Sequence, residues 1–520
     1  MMAWSRMRAA RWLLAPLLSV ALLVASSYFF WWPLGFIALA PLFILIERDP
    51  LAYRRIAGAA FLIGFLYPLA LMRVTLMGFT WLPEAHFFQE IIRFAAVPVA
   101  LIIGGLYAGV FWIYAKKVRT RSLVGNAVLF ALVWALVEWL VTAGTGGFNL
   151  GLLANAASSV TPLVGLAAIG GAHLVSFLVI LVSGLVGAFV VAARTGRVPT
   201  LSVARATLGM VIAVIALYAA NAYYLRSDQI ERSISVAILQ NSNRTSDAFG
   251  TFEGGAFMFP KLAGLIAEAR ASTTPEIIIY PFAVAKELLA TGAPSRVVAT
   301  GPLDAFAAWE RRAVGTTTFV TWDTIDRDET FWNEIDYWQG GAIVTAYDKR
   351  TLLPFIDYTP AWAQQAGLYT TVVDEAPGGA AQPLFTFGTA RIASAVCSEV
   401  SSAQTIRENV RGANVGFSIG SDAIFSDNFA ARSDLVSAQF RAAENNVPVV
   451  RANRFGFSGF ITAEGQVIRA IAYNADGAFV EQVPYDEHPR RTLYSITGDW
   501  LFIVAGIIGL WGAWIRRGHS

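Results

Sequence analysis

One cysteine stands in the 520 residues: Cys397, in the stretch ASAVCSEV at 393–400. A thiol attacks only as its thiolate, so a reactive cysteine needs a base or a positive charge beside it. The usual base is histidine. The chain has four, His86, His173, His488 and His519, and none lies within 233–486. A cysteine–histidine pair inside that segment is therefore excluded, as is a histidine-based metal site there. A single cysteine also excludes an intramolecular disulfide framework and any multi-cysteine zinc site. What remains is a buried structural thiol, or a nucleophile helped by lysine or carboxylate. Lysine occurs only at 116, 117, 261, 286 and 349. Lys349 lies in AYDKRTLLPFIDYTP (346–360), just past a predicted strand. A cation at a strand end can face a thiolate or an oxyanion. Taken alone, its plainer reading is a solvated surface lysine.

The elements that must position these groups divide the chain in two. The sequence is 56% hydrophobic and 14% charged, with mean hydropathy +0.54. Soluble domains carry about 25% charge, so the protein is membrane-bound at least in part. A net charge of +3, not gathered in one patch, argues for no nucleic-acid partner. Long apolar runs at about 12–28, 33–47, 57–72, 94–115, 123–143, 172–193 and 205–224 predict seven spans in a membrane domain over 1–224. An eighth run follows at 500–515. A full span needs about 20 apolar residues, so the second and third are short. The first run could pass for a signal peptide, but further spans follow at once and an uncleaved anchor is expected. Arginine and lysine recur in alternate loops, at 6–11, 48–55, 116–121, 194–205 and 516–517. Positive loops stay cytoplasmic, so the segment 225–499 is expected outside, in the periplasm of a bacterial inner-membrane protein.

Residues 233–486 read as a soluble α/β domain. ISVAILQ (234–240), EIIIYPF (276–282), AIVTAYD (342–348), RIASAVC (391–397), GANVGFSIG (412–420) and VPVVRAN (447–453) predict strands. KLAGLIAEARA (261–271) and DLVSAQFRAAENN (434–446) carry helical spacing. Strands alternating with helices imply sheets covered by helices.

Three of these stretches, in order, carry a resemblance: AYDKRTLLPFIDYTP, SAVCSEV, and GSDAIFSDNFAARSDLVSAQFRAAENNVPVVRANRFG (420–456). They look like the nitrilase (carbon–nitrogen hydrolase) superfamily. With membrane spans on both sides, the chain resembles the apolipoprotein N-acyltransferase family more closely still. The likeness covers nearly the whole chain, and ALVWALVEWL (131–140) and GGAHLVSFLVILV (170–182) resemble that family's membrane segments. It implies a multi-spanning helical bundle with a periplasmic αββα nitrilase-like domain and a last C-terminal span. It also implies a Glu–Lys–Cys triad. The cysteine takes an acyl chain from phospholipid as a thioester and passes it to the α-amine of a diacylglyceryl-cysteine on a lipoprotein. No cofactor and no metal is implied, and a monomer is expected. Cys397 matches the nucleophile and Lys349 the lysine. Glu399 matches a supporting glutamate. Asp357 stands where the family usually has a glutamate, and Ser398 where it usually has an aromatic residue.

The family's general base follows a Tyr/Trp–Pro pair. Here IIIYPFAVAK (277–286) has Tyr280 and Pro281, then Phe282. A phenyl ring accepts no proton, and a lost general base costs about 10²–10⁴-fold. Three readings follow: an acyltransferase with a substitute base, Glu399 or Asp357 before Glu276 or Glu287; a repurposed relative acting on another exported protein; or a pseudoenzyme that binds lipid or lipoprotein. Without the glutamate, Cys397 could also rest as a thiolate paired with an ammonium. Glu138 is an ionisable group inside a span, equally readable as a solvated interfacial carboxylate. WLPEAHFF (81–88) reads first as an interfacial anchor. A transporter would need paired polar groups in mid-span, and almost none are found. The reading favoured is acyl transfer through a Cys397 thioester, with Lys349 on the oxyanion and Glu399 orienting or activating.

Overall fold

The computed structural model describes all residues except 1, 30, 77–85, 148–150, 197–199, 227–230, 243–250, 254–255, 259, 272, 284–317, 328–329, 341, 355–356, 368–374, 381, 423–427 and 519–520. The chain folds as two compact units, one of residues 1–226 with 492–520 and one of residues 227–491.

The first unit is helical. α1 (Met2–Ser27) is followed by a 3₁₀ turn at Trp32–Phe36, then α2 (Ala40–Arg48), α3 (Tyr53–Leu76), α4 (His86–Ile113), α5 (Leu123–Gly144), the short α6 (Thr161–Gly165), α7 (Ala167–Thr195) and α8 (Thr200–Leu225). Among the described residues, six helices are long and apolar enough to cross a membrane. The second predicted span differs. Pro33, Gly35 and Pro41 interrupt it, and α2 has only nine residues. At 1.5 Å per residue that is about 14 Å, half a bilayer core. The broken segment still returns the chain to the end where α1 began. Glu47 pairs with Arg119 at 2.8 Å, and Arg48 feels the charges of Arg11 and Arg194. α7 breaks at Gly170 and Gly171, the latter at φ 72°. A Cβ on Gly171 would come within 2.5 Å of the Tyr494 ring, so only glycine admits both the left-handed turn and the contact.

The second unit holds β1 (Glu231–Gln240), the hairpin β2 (Thr251–Glu253) and β3 (Ala256–Met258), α9 (Pro260–Arg270), β4 (Ile277–Ala283), β5 (Thr318–Arg327), β6 (Thr330–Gln339) and β7 (Ala342–Asp348). After the short α10 (Ala361–Gln365) come β8 (Phe385–Phe387), β9 (Ala390–Val396), α11 (Ala403–Asn409), β10 (Val415–Ser421), α12 (Asn428–Asn445), β11 (Val449–Arg454), β12 (Ser458–Ile461), β13 (Val467–Ile471) and β14 (Gly477–Asp486). Two six-stranded sheets form, ordered β14-β1-β4-β5-β6-β7 and β13-β12-β11-β10-β9-β8. β1, β4 and β5 run parallel, as do β9, β10 and β11; the outer strands are antiparallel. Alternate residues Ile234, Val236 and Ile238 of one sheet meet Ile392, Phe417 and Val450 of the other in a single dry core. Each such side chain contributes about 1.5–3 kcal/mol on burial. α9 packs on β1 and β14, and α12 covers β11 and β12. This is an αββα sandwich. The chain re-enters the first unit through α13 (Leu493–Thr497) and α14 (Trp500–Gly518). A helical bundle with an αββα sandwich is the architecture expected.

Candidate active site

Cys397 stands where a buried strand ends. β9 is buried along nearly its whole length, and Cys397 then adopts φ 51°, a left-handed conformation uncommon outside glycine and asparagine. It opens a 3₁₀ turn through Ser401. The turn presses on the end of β10. A Cβ on Gly420 would lie 2.7 Å from the Cys397 Cα, so glycine alone lets the two strand ends pass. Strained backbone of this kind persists only where its surroundings over-determine it.

The surroundings begin with Glu399, fully buried beside the turn. Its Oε2 accepts from the Val396 amide at 2.8 Å and the Tyr347 hydroxyl at 2.9 Å. Its Oε1 accepts from the amides of Arg350 at 2.6 Å and Thr351 at 3.0 Å. Four donors fill the carboxylate and tie the cysteine turn to the segment after β7. Asn409 braces the same joint, donating to the Tyr347 hydroxyl at 2.6 Å and the Ser394 carbonyl at 3.0 Å. Burial raises the Glu399 carboxyl above its ordinary value against the pull of these amides and of Lys349.

Lys349 leaves β7 into the same pocket and is 1% exposed. It is not the solvated surface lysine of the plainer reading. Its amide donates to the Asn333 carbonyl at 2.8 Å, and its ammonium donates to Asp357 Oδ2 at 2.5 Å. That oxygen also accepts from the Leu353 amide at 2.7 Å. The other Asp357 oxygen accepts no hydrogen bond among the described residues. Burial alone would lower the Lys349 ammonium, but Asp357, Cys397 and Glu375 outweigh it and the net shift is upward.

The thiol itself is held protonated. Burial pushes Cys397 up to about 11; Lys349 pulls it down, while Asp357, Asp422 and Asp434 push it further up. The expectation of a resting thiolate paired with an ammonium therefore fails here. The ammonium is taken by Asp357, and acids outnumber the one lysine around the sulfur.

Asp422 and Asp434 were not singled out from the sequence. Asp434, on α12, accepts from Ser401 Oγ at 3.1 Å, at the far end of the cysteine turn. Arg451 of β11 reaches Asp422 at 3.3 Å and Asp434 at 3.8 Å. Burial lifts both carboxyls, with Asp422 adding to the rise of Asp434 and Arg451 opposing it in each. In ARSDLVSAQFRAAEN the charged Asp434, Arg441 and Glu444 ride on a helix buried on nearly every side, and the spacing alone does not mark Asp434 as a neighbour of the thiol.

The remaining candidates lie elsewhere. Glu276 accepts from the Ser235 amide at 2.7 Å at the start of β4, tying β4 to β1 away from the cysteine turn. The Phe282 backbone belongs to β4, but its side chain lies outside the described residues, as does Glu287. Ser398 Oγ is buried without a hydrogen-bond partner among the described residues. Glu138 is buried in the first unit, accepting from Trp134 Nε1 at 3.1 Å and the Leu153 amide at 3.2 Å. It is thus no solvated interfacial carboxylate. Residues 81–85 of WLPEAHFF fall outside the described residues, and the side chains of 86–88 do too.

Two family descriptions match this chain. Residues 11–185 match the apolipoprotein N-acyltransferase N-terminal domain, and residues 236–487 match the carbon–nitrogen hydrolases. The chain belongs to the apolipoprotein N-acyltransferase family. The family member of Brucella melitensis is 27% identical over 444 residues, covering 80% of this chain and 78% of that one. The member of Haemophilus influenzae is 24% identical over 502 residues, covering 91% and 89%. Among solved structures, an amidase of the nitrilase superfamily from Nesterenkonia aligns at TM-score 0.37 and 17% identity, covering 55% of this chain and all of that one.

Proposed function

We propose that this protein is an apolipoprotein N-acyltransferase that works through a Cys397 thioester. The observation that carries the reading is the Glu399 carboxylate, whose four hydrogen bonds join the cysteine turn to the lysine-bearing segment. A sandwich needs no such joint in order to fold. Family membership supplies the reaction class.

In the first half-reaction Cys397 Sγ attacks the carbonyl carbon of a phospholipid ester while its proton passes to a base. Asp357 is assigned that role, because one of its oxygens is still free to accept. Lys349 faces the oxyanion of the tetrahedral intermediate, where a buried ammonium acts at low dielectric. The carbon–oxygen bond then breaks, and the lysophospholipid leaves as the alcohol with the proton. In the second half-reaction the α-amine of a diacylglyceryl-cysteine attacks the thioester carbon. The carbon–sulfur bond breaks, the amide forms, and a proton from the amine returns to the thiol. Glu399, with no lone pair left over, positions the two segments and transfers no proton. This division of labour lets the site turn over without a glutamate at position 282.

The sandwich is assigned to the periplasm. The helix ends carrying Arg11, Arg48, Arg119 and Arg194 belong together, and positive ends stay cytoplasmic. α8 begins at Thr200, just after Arg194, and leads away from that end to Leu225 before the second unit starts.

The experiment supplies phospholipid and a synthetic diacylglyceryl-cysteine peptide to the purified protein. An amide-linked acyl chain on the free amine, absent with the N-acetylated peptide, is the expected result. No transfer, from protein that does acylate Cys397, would place the acceptor elsewhere.

A further inference from the structure

At the arginine-rich end of the first unit, a groove of about 460 Å³ opens between the start of α1 and the end of α2. Arg11 and Arg48 line it, with Leu14, Leu18 and Ile44 along its walls. Arg194, in the last turn of α7, is close enough that its charge and that of Arg11 act unfavourably on Arg48. Two guanidiniums thus line the groove from two helices, and the charge of a third, on α7, reaches Arg48. Among the described residues none of the three has a carboxylate partner, whereas Arg119 nearby is neutralised by Glu47 at 2.8 Å. Among the described lining residues the one acid is Asp49, against Arg11 and Arg48, which leaves the groove positive. Like charges gathered without partners repel, and an anion among them converts that repulsion into binding.

The walls say what kind of anion. Leu14 is 63% exposed and Leu18 51% exposed, on a helix apolar enough to span a membrane. A free inorganic anion gains nothing from such a surface, whereas an anion carrying acyl chains does. Basic pockets between membrane helices on the cytoplasmic side are the usual sites for anionic headgroups.

We propose that this groove binds an anionic phospholipid of the surrounding leaflet, its phosphate between Arg11 and Arg48 and its chains along Leu14, Leu18 and Ile44. The groove belongs to the first unit, whereas the acyl-donor site proposed above is built around Cys397 in the second. It stands whether or not the acyltransferase reading does.

The test is native mass spectrometry of the full chain released from nanodiscs of equal phosphatidylglycerol and phosphatidylcholine. Arg11→Gln/Arg48→Gln is compared with Arg54→Gln/Arg55→Gln, which removes the same charge from the same end without touching the groove. Wild type and the control should retain phosphatidylglycerol preferentially. The groove variant should lose that preference by about tenfold or more, each arginine near a membrane surface being worth about a factor of five toward an anionic lipid. Equal retention of the two lipids by wild type would overturn the proposal, as would an undiminished preference in the groove variant. Thermal stabilisation of detergent-purified protein by inorganic phosphate, matching that by phosphatidylglycerol, would overturn the lipid assignment in favour of a free anion.

Discussion

The two charge clusters of this protein follow opposite plans. Around Cys397 the charges are buried and paired, with one Asp357 oxygen left to accept: Lys349 meets Asp357 at 2.5 Å, Glu399 takes four donors, and Arg451 stands between Asp422 and Asp434. At the arginine-rich end of the helical unit, Arg11 and Arg48 line a groove within reach of the charge of Arg194, with no carboxylate partner among the described residues. A cluster of buried, paired charges fixes geometry, because its partners resist moving apart. An unpaired one waits for a counter-ion. The first plan suits bond-making at a defined point; the second suits capture of a diffusing lipid.

The comparison breaks most severely at the lysine. Lys349→Met removes the cation facing the oxyanion and leaves Asp357 buried and unpaired. Thioacylation of Cys397 should fall by about 10²–10³-fold, read as the single-turnover rate of acyl-mass gain. Unchanged rates would remove Lys349 from the mechanism. Glu399→Gln comes next. Its amide presents hydrogens where two of four donors now point, at about 1–3 kcal/mol for each buried donor left unmet. Denaturant unfolding of the sandwich should register the loss, and thioacylation should fall with it. A Gln variant as stable as wild type would mean that the joint is not needed.

Asp434→Asn sharpens the contrast without dismantling it. Asp434 is among the acids that hold the thiol up near 11. A raised thiol pKa means that the thiolate, and so the alkylation rate, grows with rising pH toward that value. Removing one acid lowers the pKa, so iodoacetamide should label Cys397 several-fold faster at pH 8 than in wild type, with the rate midpoint moved to lower pH. An unmoved midpoint would show that Asp434 does not sense the sulfur. Smallest is Tyr347→Phe, which deletes one donor to Glu399 and one partner of Asn409, for about 1 kcal/mol of stability.

Some of this architecture was legible in the sequence. AIVTAYD forms β7 over the span expected, and RIASAVC forms β9 with its cysteine just beyond the last paired residue. β9 is buried along nearly its whole length, whereas β7, at the edge of its sheet, exposes Ile343 and Val344 and buries Tyr347. Not legible was the hairpin β5–β6: TFVTWDTIDR and TFWNEIDYWQ alternate aromatic with acidic side chains, and pairing rather than apolar periodicity defines them. The second span was expected from the apolar run 33–47, but Pro33, Gly35 and Pro41 crowd one short stretch and the run divides into a 3₁₀ turn and the nine-residue α2. At the site, motif order brought Lys349, Asp357, Glu399 and Cys397 to attention, and the structure gathers them in one pocket. Asp434 escaped because a helical period marks which face is buried, not that a carboxylate on it will lie within electrostatic reach of a thiol two elements away.

The central claim is that Cys397 accepts an acyl chain although position 282 carries phenylalanine. Intact mass of the purified chain after incubation with a phospholipid of defined acyl length, beside Cys397→Ser, tests it directly. The account predicts an added mass equal to that acyl group, absent from the serine variant and released by hydroxylamine. A folded wild-type sample that gains no mass, while a family member with the usual glutamate does so under the same conditions, would contradict it.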